Sequence, residues 1–224
     1  MKKYIDLIKT SKLFEKISEN DIYSMLSCLS TEEKNLSKGD YIYRAGERSS
    51  KTAMVLEGMI HIYKEDYWGN NSILAEVSQG ELLGEVYAFL DDEPMAVNAV
   101  AVKDSTVMLM DMKKVFTVCD SICPYHTRLI QNLVHVISVK NRELTRKMEH
   151  LSQRTTRDKL LSYLSEQSIK HGSSNFEIPF NRQQLADYLA VDRSAMSKEL
   201  GRLRKEGILE FRKSHFSLIG REMY

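Results

Sequence analysis

Three cysteines in 224 residues, Cys28, Cys119 and Cys123, are too few for a disulfide framework. That scarcity makes the cytoplasm the expected compartment. Long apolar runs are missing as well. No stretch reaches the ~18 apolar residues that a membrane span needs, so no membrane partner is expected. The opening MKKYIDLIKTSKLF is basic, but Asp6 and Lys9 interrupt any apolar core, which argues against a secretory signal. There is no P-loop, no zinc signature and no nucleophile set beside a base, so the expectation is no enzyme, no cofactor and no metal. A large charge excess is also absent, since the net charge is +1. Its distribution is uneven: residues 151–224 carry 13 Lys and Arg against 9 Asp and Glu, and residues 1–150 carry 19 against 22. The basic excess at the C-terminal end favours a polyanion partner there.

What is present divides the chain into three stretches. Residues 1–36 read as helical. SEND (residues 18–21) places a cap before IYSMLSCL, and STEE (residues 30–33) repeats the signal before a run too short for much helix. From residue 37 to 110 glycines recur between short apolar runs, including YIYRA, SILAEV, AVNAVAV and STVMLMD. Short strands at turn-punctuated spacing predict an antiparallel sandwich or barrel. WGNN (residues 68–71) predicts a hairpin turn, because Gly and Asn tolerate positive φ.

Helix returns over 111–152. Ile130, Leu133, Ile137, Lys140, Leu144, Lys147 and Leu151 are spaced 3-4-3-4-3-4. That is an a/d seam of about three heptads. It reads as a homodimer interface through Ile130, Leu133, Ile137, Leu144 and Leu151; the alternative is a face packed on the β domain of its own chain. Cys119 and Cys123, one helical turn apart, read as packing residues or as a redox pair. Beyond a polar break, Thr155 or Thr156 can cap a short helix over 153–170, and HGSSNFEIPF (residues 171–180) reads as a loop with a short strand.

The most specific signal is NRQQLADYLAVDRSAMSKELGRLRKEGIL (residues 181–209). Asn181 can cap a first helix with Gln184 at N3. Leu185, Ala186 and Leu189 face one way; LAVD makes a turn; Asp192 caps a second helix buried along Met196, Leu200 and Leu203. This is the helix-turn-helix pattern, with Ala190 where glycine is frequent. The second helix exposes Arg193, Ser194, Ser197 and Lys198 near its N-terminus, where a recognition helix meets base edges in the major groove. Arg202, Arg204 and Lys205 are candidates for phosphates, and Arg182 is a further candidate for DNA contact. GILEFRKSHFSLI reads as two strands around RKSH, a basic wing that would bring Lys213 and His215 to the DNA backbone.

The whole layout resembles the Crp/Fnr superfamily of bacterial transcription regulators. The carriers are GEVYAF (residues 84–89) and DRSAMSKELGRL (residues 192–203), and the resemblance covers nearly the full chain. It implies an α+β protein: an antiparallel, jelly-roll-like β-roll effector domain with N-terminal helices (1–110), a long dimerisation helix (111–152) and a winged helix-turn-helix domain (153–224). It also implies a homodimer on a two-fold symmetric double-stranded DNA operator, contact with RNA polymerase, and a small effector acting on the β-roll. Ser194 stands where several members carry Glu, and Lys198 where Arg is common, so base preference should differ.

Cyclic-nucleotide members have Gly-Glu, nine residues, then Arg with Ser or Thr, the Glu on the ribose and the Arg on the phosphate. Here Gly84 and Glu85 are followed at that spacing by Met95 and Ala96. A buried anion needs a partner charge or several donors. Neither residue supplies one, so an effector seated at Gly84, Glu85, Met95, Ala96 and Asn98 is expected to be small and partly apolar, not a cyclic nucleotide. Iron–sulfur members need four cysteines, more than are present. The six histidines show no ligand spacing, and no motif supports haem. The runner-up is a sensory ligand-binding protein without direct DNA regulation; it has no use for a recognition helix with exposed Arg, Ser, Ser and Lys.

Overall fold

The computed structural model describes residues 1–65, 67–68, 71–90, 93–116 and 124–219. The chain forms two compact units, Met1–Ile137 and Ser138–Tyr224.

In the first unit, α1 (Ile5–Thr10) and α2 (Glu19–Cys28) precede the strands. The Asp21 N–H donates to the Ser18 side chain, as SEND predicts. STEE is not a second helix start. Its acids open strand β1 (Glu32–Leu36), of which only Leu36 is buried. A strand of this composition, EEKNL, is held by its pairing with β8 (Ser105–Asp111) and not by any apolar alternation of its own. The helical reading of residues 1–36 is therefore corrected over its last five residues.

The remaining elements are β2 (Tyr41–Tyr43), β3 (Lys51–Glu57), β4 (Ile60–Glu65), β5 (Asn71–Val77), β6 (Leu82–Leu83), α3 (Glu85–Phe89) and β7 (Asn98–Ala101). Two antiparallel four-stranded sheets result, in the orders β1-β8-β3-β6 and β2-β7-β4-β5. Ala53, Val55, Val107 and Leu109 of the first sheet pack with Tyr43, Ile60, Ala99 and Ala101 of the second. The alternate residues Met54, Leu56, Met108 and Met110 point to the other side, against Ile8, Phe14 and Ile22 of the helical segments. Burial on both faces explains why TAMVL and TVMLM read as unbroken apolar runs. Of the predicted turn 68–71, Gly69 and Asn70 lie outside the described residues, but the pairing of Glu65 with Asn71 fixes a β4–β5 hairpin.

The long helix α4 (Pro124–Leu151) spans both units. Cys119 and Cys123 lie outside the described residues. In the first unit, Leu129 and Leu133 are buried in the helical core, with Ile130 partly buried against it. The Asn132 side-chain amide donates to the carbonyls of Leu13 and Glu15 at 2.9 and 2.8 Å. This corrects the seam at Leu133, whose side chain is committed to its own protomer. Beyond Tyr125 in the first turn, the apolar residues of α4 left open are Val134, Ile137, Leu144 and Met148. Their register keeps Ile137 and Leu144 but moves the alternate position by one residue, to Val134, Asn141 and Met148.

The second unit holds the last turns of α4, then α5 (Thr156–His171), β9 (Asn175–Glu177), α6 (Arg182–Tyr188), α7 (Arg193–Lys205), β10 (Leu209–Arg212) and β11 (His215–Leu218). Thr155 is the cap of α5, accepting from the Asp158 N–H. The strands form an antiparallel sheet in the order β10-β11-β9. Leu160, Tyr163 and Leu164 of α5 pack with Leu185, Ala186 and Leu189, with Met196, Leu200 and Leu203, and with Phe176, Leu209 and Phe216 of the sheet. Among the described residues, no helix is long and apolar enough to cross a membrane.

Candidate nucleic-acid interface

α6 and α7 are placed by local sequence signals. Asn181 and Gln184 form a reciprocal capping box at 3.0 and 2.9 Å. The turn places Ala190 at φ +48°, in the left-handed region where glycine pays no steric cost. Lys159 of α5 donates to the carbonyls of Leu189 and Ala190 at 3.2 and 3.5 Å, satisfying acceptors that the end of α6 leaves open. Asp192 then caps α7, accepting from the Ala195 N–H at 2.8 Å. That bond and a 2.5 Å bond from the Ser194 hydroxyl hold the Asp192 carboxyl below its usual range, the hydroxyl being the larger cause.

α7 is sharply two-sided. Met196, Leu200 and Leu203 are buried; Ser194, Ser197, Lys198 and Arg202 are exposed away from that stripe, and Arg193 is exposed at the helix start. The sequence places the first four for base contact, and the structure brings them together within the first two turns. Two acids lie on one flank. Arg157 of α5 reaches both, Glu199 at 3.3 Å and Glu206 at 2.6 Å. Arg202 also pairs with Glu199, at 3.2 Å. These pairs draw the carboxylates aside and leave the open face cationic.

In the wing, Lys213 sits at φ +56° in the turn between β10 and β11, and its side chain is exposed. The expectation for Arg182 needs correction. Its guanidinium lies over the rings of Phe211 and Phe216, at 4.8 and 5.0 Å, and burial lowers its pKa. It packs the sheet against α6 and is not a free cation at the surface.

The last turns of α4 are tied to the same unit by contacts that sequence reasoning missed. His150 is buried and bonded through its two ring nitrogens to the Ser162 hydroxyl at 2.8 Å and the Glu166 carboxylate at 2.7 Å. Arg146 pairs with Glu166 at 3.2 Å, and the Lys147 ammonium lies over the Tyr188 ring. Lys147 thus faces the DNA-binding unit and not a dimer seam. Lysine at a heptad core position was the available warning.

In the β-roll, Gly84 has φ +79°, and a Cβ there would meet the Tyr43 ring at 2.8 Å. Tyr43 is itself buried and donates to the Lys51 carbonyl at 2.7 Å. Burial, and after it the Glu85 carboxylate, push the Tyr43 phenol well above its ordinary pKa. Glu85 and Met95 are also buried, Met95 in the core between the sheets. Met95 exchanges backbone bonds with the 46–47 turn, and the Asn98 side chain accepts from the Ala45 N–H at 2.9 Å. Ala96 is exposed, and its N–H donates to the Tyr87 hydroxyl at 3.0 Å. Of the five residues predicted for the effector, Glu85, Met95 and Asn98 are buried and Ala96 is exposed, with Tyr43 packed against Gly84 and Tyr87 bonded to Ala96. Tyr87 belongs to GEVYAF itself, whereas Tyr43 comes from β2, some forty residues earlier, and nothing in the motif spacing points to it. Among the described residues, no group of three or more His, Cys, Asp or Glu is placed to hold a metal.

The fold and the open face of α7 define a two-part regulator, a β-roll joined through a long helix to a winged helix-turn-helix. Comparison with known proteins agrees. Residues 33–121 match the cyclic nucleotide-binding domain family, and residues 158–222 match the Crp-like helix-turn-helix domain. The chain is 24% identical to the anaerobic regulatory protein of Bacillus subtilis over 87% of this chain and 82% of that one. It is 22% identical to the cyclic AMP receptor protein of Thermus thermophilus over 90% and 89%. Among solved structures, CprK complexed with OCPA covers 87% of this chain and 90% of its own, with a TM-score of 0.62 at 17% identity. The c-di-GMP responsive global regulator CLP of Xanthomonas campestris covers 91% and 100%, with a TM-score of 0.58 at 18% identity. The chain belongs to the Crp/Fnr superfamily of transcription regulators, with a DNA-binding helix-turn-helix and an effector-type β-roll.

Proposed function

We propose that the protein acts in the cytoplasm as a homodimeric, sequence-specific regulator that reads a two-fold symmetric operator and works with RNA polymerase, not as an enzyme. The observation that carries this reading is the open N-terminal half of α7, where Arg193, Ser194, Ser197 and Lys198 stand exposed while Met196, Leu200 and Leu203 are buried. Arg193 and Lys198 suit guanine O6 and N7, and the serines suit several bases once Ser194 swings off Asp192. Arg202 and Lys213 serve phosphates on either side. Two such helices, joined through the open α4 residues Val134, Ile137, Leu144 and Met148 with Ile130 and Leu151 at the ends, would lie about one DNA turn, ~34 Å, apart.

The β-roll regulates by favouring one arrangement over another. Its effector is not a cyclic nucleotide, because Met95 and Ala96 offer a phosphate neither charge nor side-chain donor. An occupant of this region has to coexist with Tyr43 against Gly84 or displace it.

The test is operator selection from a random duplex library, followed by footprinting of Arg193→Ala and Lys198→Ala. Each variant should lose about 1–3 kcal/mol of specific binding and relax base preference at its own position, with dimerisation intact. If both footprint the operator as the wild type does, the reading is wrong.

A further inference from the structure

Gly201 stands in the interior of α7, where glycine is about 1 kcal/mol worse than alanine in a helix. Among the described residues, nothing asks for it. Its φ is ordinary, and a Cβ built on it meets no atom within 4 Å. Packing and backbone strain, the usual reasons for such a residue, are both absent. The helical period places Gly201 four residues after Ser197 and three after Lys198, on the open side away from Met196, Leu200 and Leu203. The cations Lys198, Arg202 and Lys205, all exposed, lie along one flank of it, with Ser197 on the other.

Distance along the helix indicates what the gap receives. Gly201 is eight residues beyond Arg193, about 12 Å at ~1.5 Å per residue. The major groove is itself about 12 Å wide. With the N-terminal turns at the base edges, the third turn reaches the wall of the groove, where the sugar-phosphate strand runs.

Resting on the DNA-binding reading above, we propose that Gly201 is a contact residue for the DNA backbone: its missing side chain lets the helix main chain close against a sugar-phosphate, which the flanking cations draw in. The gap costs helix stability in the free protein and is used only in the complex. Stability and binding should therefore respond to a side chain in opposite directions.

The experiment compares full-length wild type, Gly201→Ala, Gly201→Leu and Arg193→Ala on an operator selected with the wild type. Gly201→Ala should raise the melting temperature of the second unit by roughly 4 °C. It should weaken operator binding by about tenfold, the scale of one lost DNA contact, and Gly201→Leu should weaken it further. Because no charge changes, the slope of log affinity against log salt should stay that of the wild type. Re-selection with Gly201→Ala should return the same base preference, whereas Arg193→Ala relaxes it. The proposal is overturned if Gly201→Ala binds within twofold of wild type, if alanine lowers the melting temperature, or if the preferred bases change. Failure of the wild type to select any operator would instead sink the DNA-binding reading itself.

Discussion

Leu144→Asp is the sharpest probe of how two copies join. Leu144 is 62% exposed and belongs to no core of its own chain. Full burial of a leucine is worth roughly 1.5–3 kcal/mol, so closing its open part in both protomers contributes about 2.5 kcal/mol to the pair. Aspartate forfeits that and sets two carboxylates against each other, a further ~1.5 kcal/mol across a wet seam. The sum, about 4 kcal/mol, corresponds to a roughly thousandfold weaker dimer. Sedimentation equilibrium over a concentration series reads it directly. Far-UV circular dichroism and melting of the dilute monomer should be unchanged, because the site is open in the single chain. A dimer dissociation constant within tenfold of the wild type would refute the pairing through α4.

Two further outcomes concern the turn and cap of the helix-turn-helix. Ala190→Gly removes a left-handed cost of about 1–2 kcal/mol and adds about 0.4–1 kcal/mol of unfolded-state freedom, so chemical denaturation should show a net gain near ~0.5 kcal/mol. Asp192→Ala should lower the melting temperature at neutral pH, while Asp192→Asn, which keeps the capping acceptor, should recover most of it. The folded-state pKa of Asp192 is depressed, so its electrostatic contribution is present above the ordinary carboxylate pKa and disappears as pH falls through the folded value. The wild-type advantage over Asp192→Asn should therefore shrink on acidification in a pH series of melts.

The parts legible in the sequence are those specified locally. Capping residues announce α6 and α7 within four positions, and the stripe Leu185, Ala186, Leu189, Met196, Leu200, Leu203 is all buried. What sequence reasoning missed depends on distant partners. EEKNL becomes a strand because β8, some seventy residues on, supplies its hydrogen bonds. The seam had two solutions, since Leu133 and Val134 are both apolar. The choice is made by Leu13 and Phe14, whose core takes Leu133 and leaves Val134 open. The same shift puts Asn141 in the seam in place of Lys140. A single asparagine there is compatible with a two-stranded, registered pairing, where lysines would oppose a dry one. Arg182 reads from the sequence as a DNA-binding cation, but its guanidinium is held over Phe211 and Phe216, some thirty residues away. Likewise, the motif spacing reveals the loss of Arg and Ser at positions 95 and 96, but not that Tyr43 lies against Gly84.

The strand order of the β-roll also sets a timetable. β8 is the last strand made, yet it is the partner of both β1 and β3. The helical core beneath that sheet is completed later still, by Leu129 and Leu133 of α4. On the ribosome, the first hundred residues therefore wait with their central pairings unmade, an arrangement of distant contacts that folds slowly and exposes strand edges meanwhile. The core beneath the sheet is complete only when the first turns of α4 have emerged, so the β-roll matures together with the long helix that leads on to the DNA-binding half.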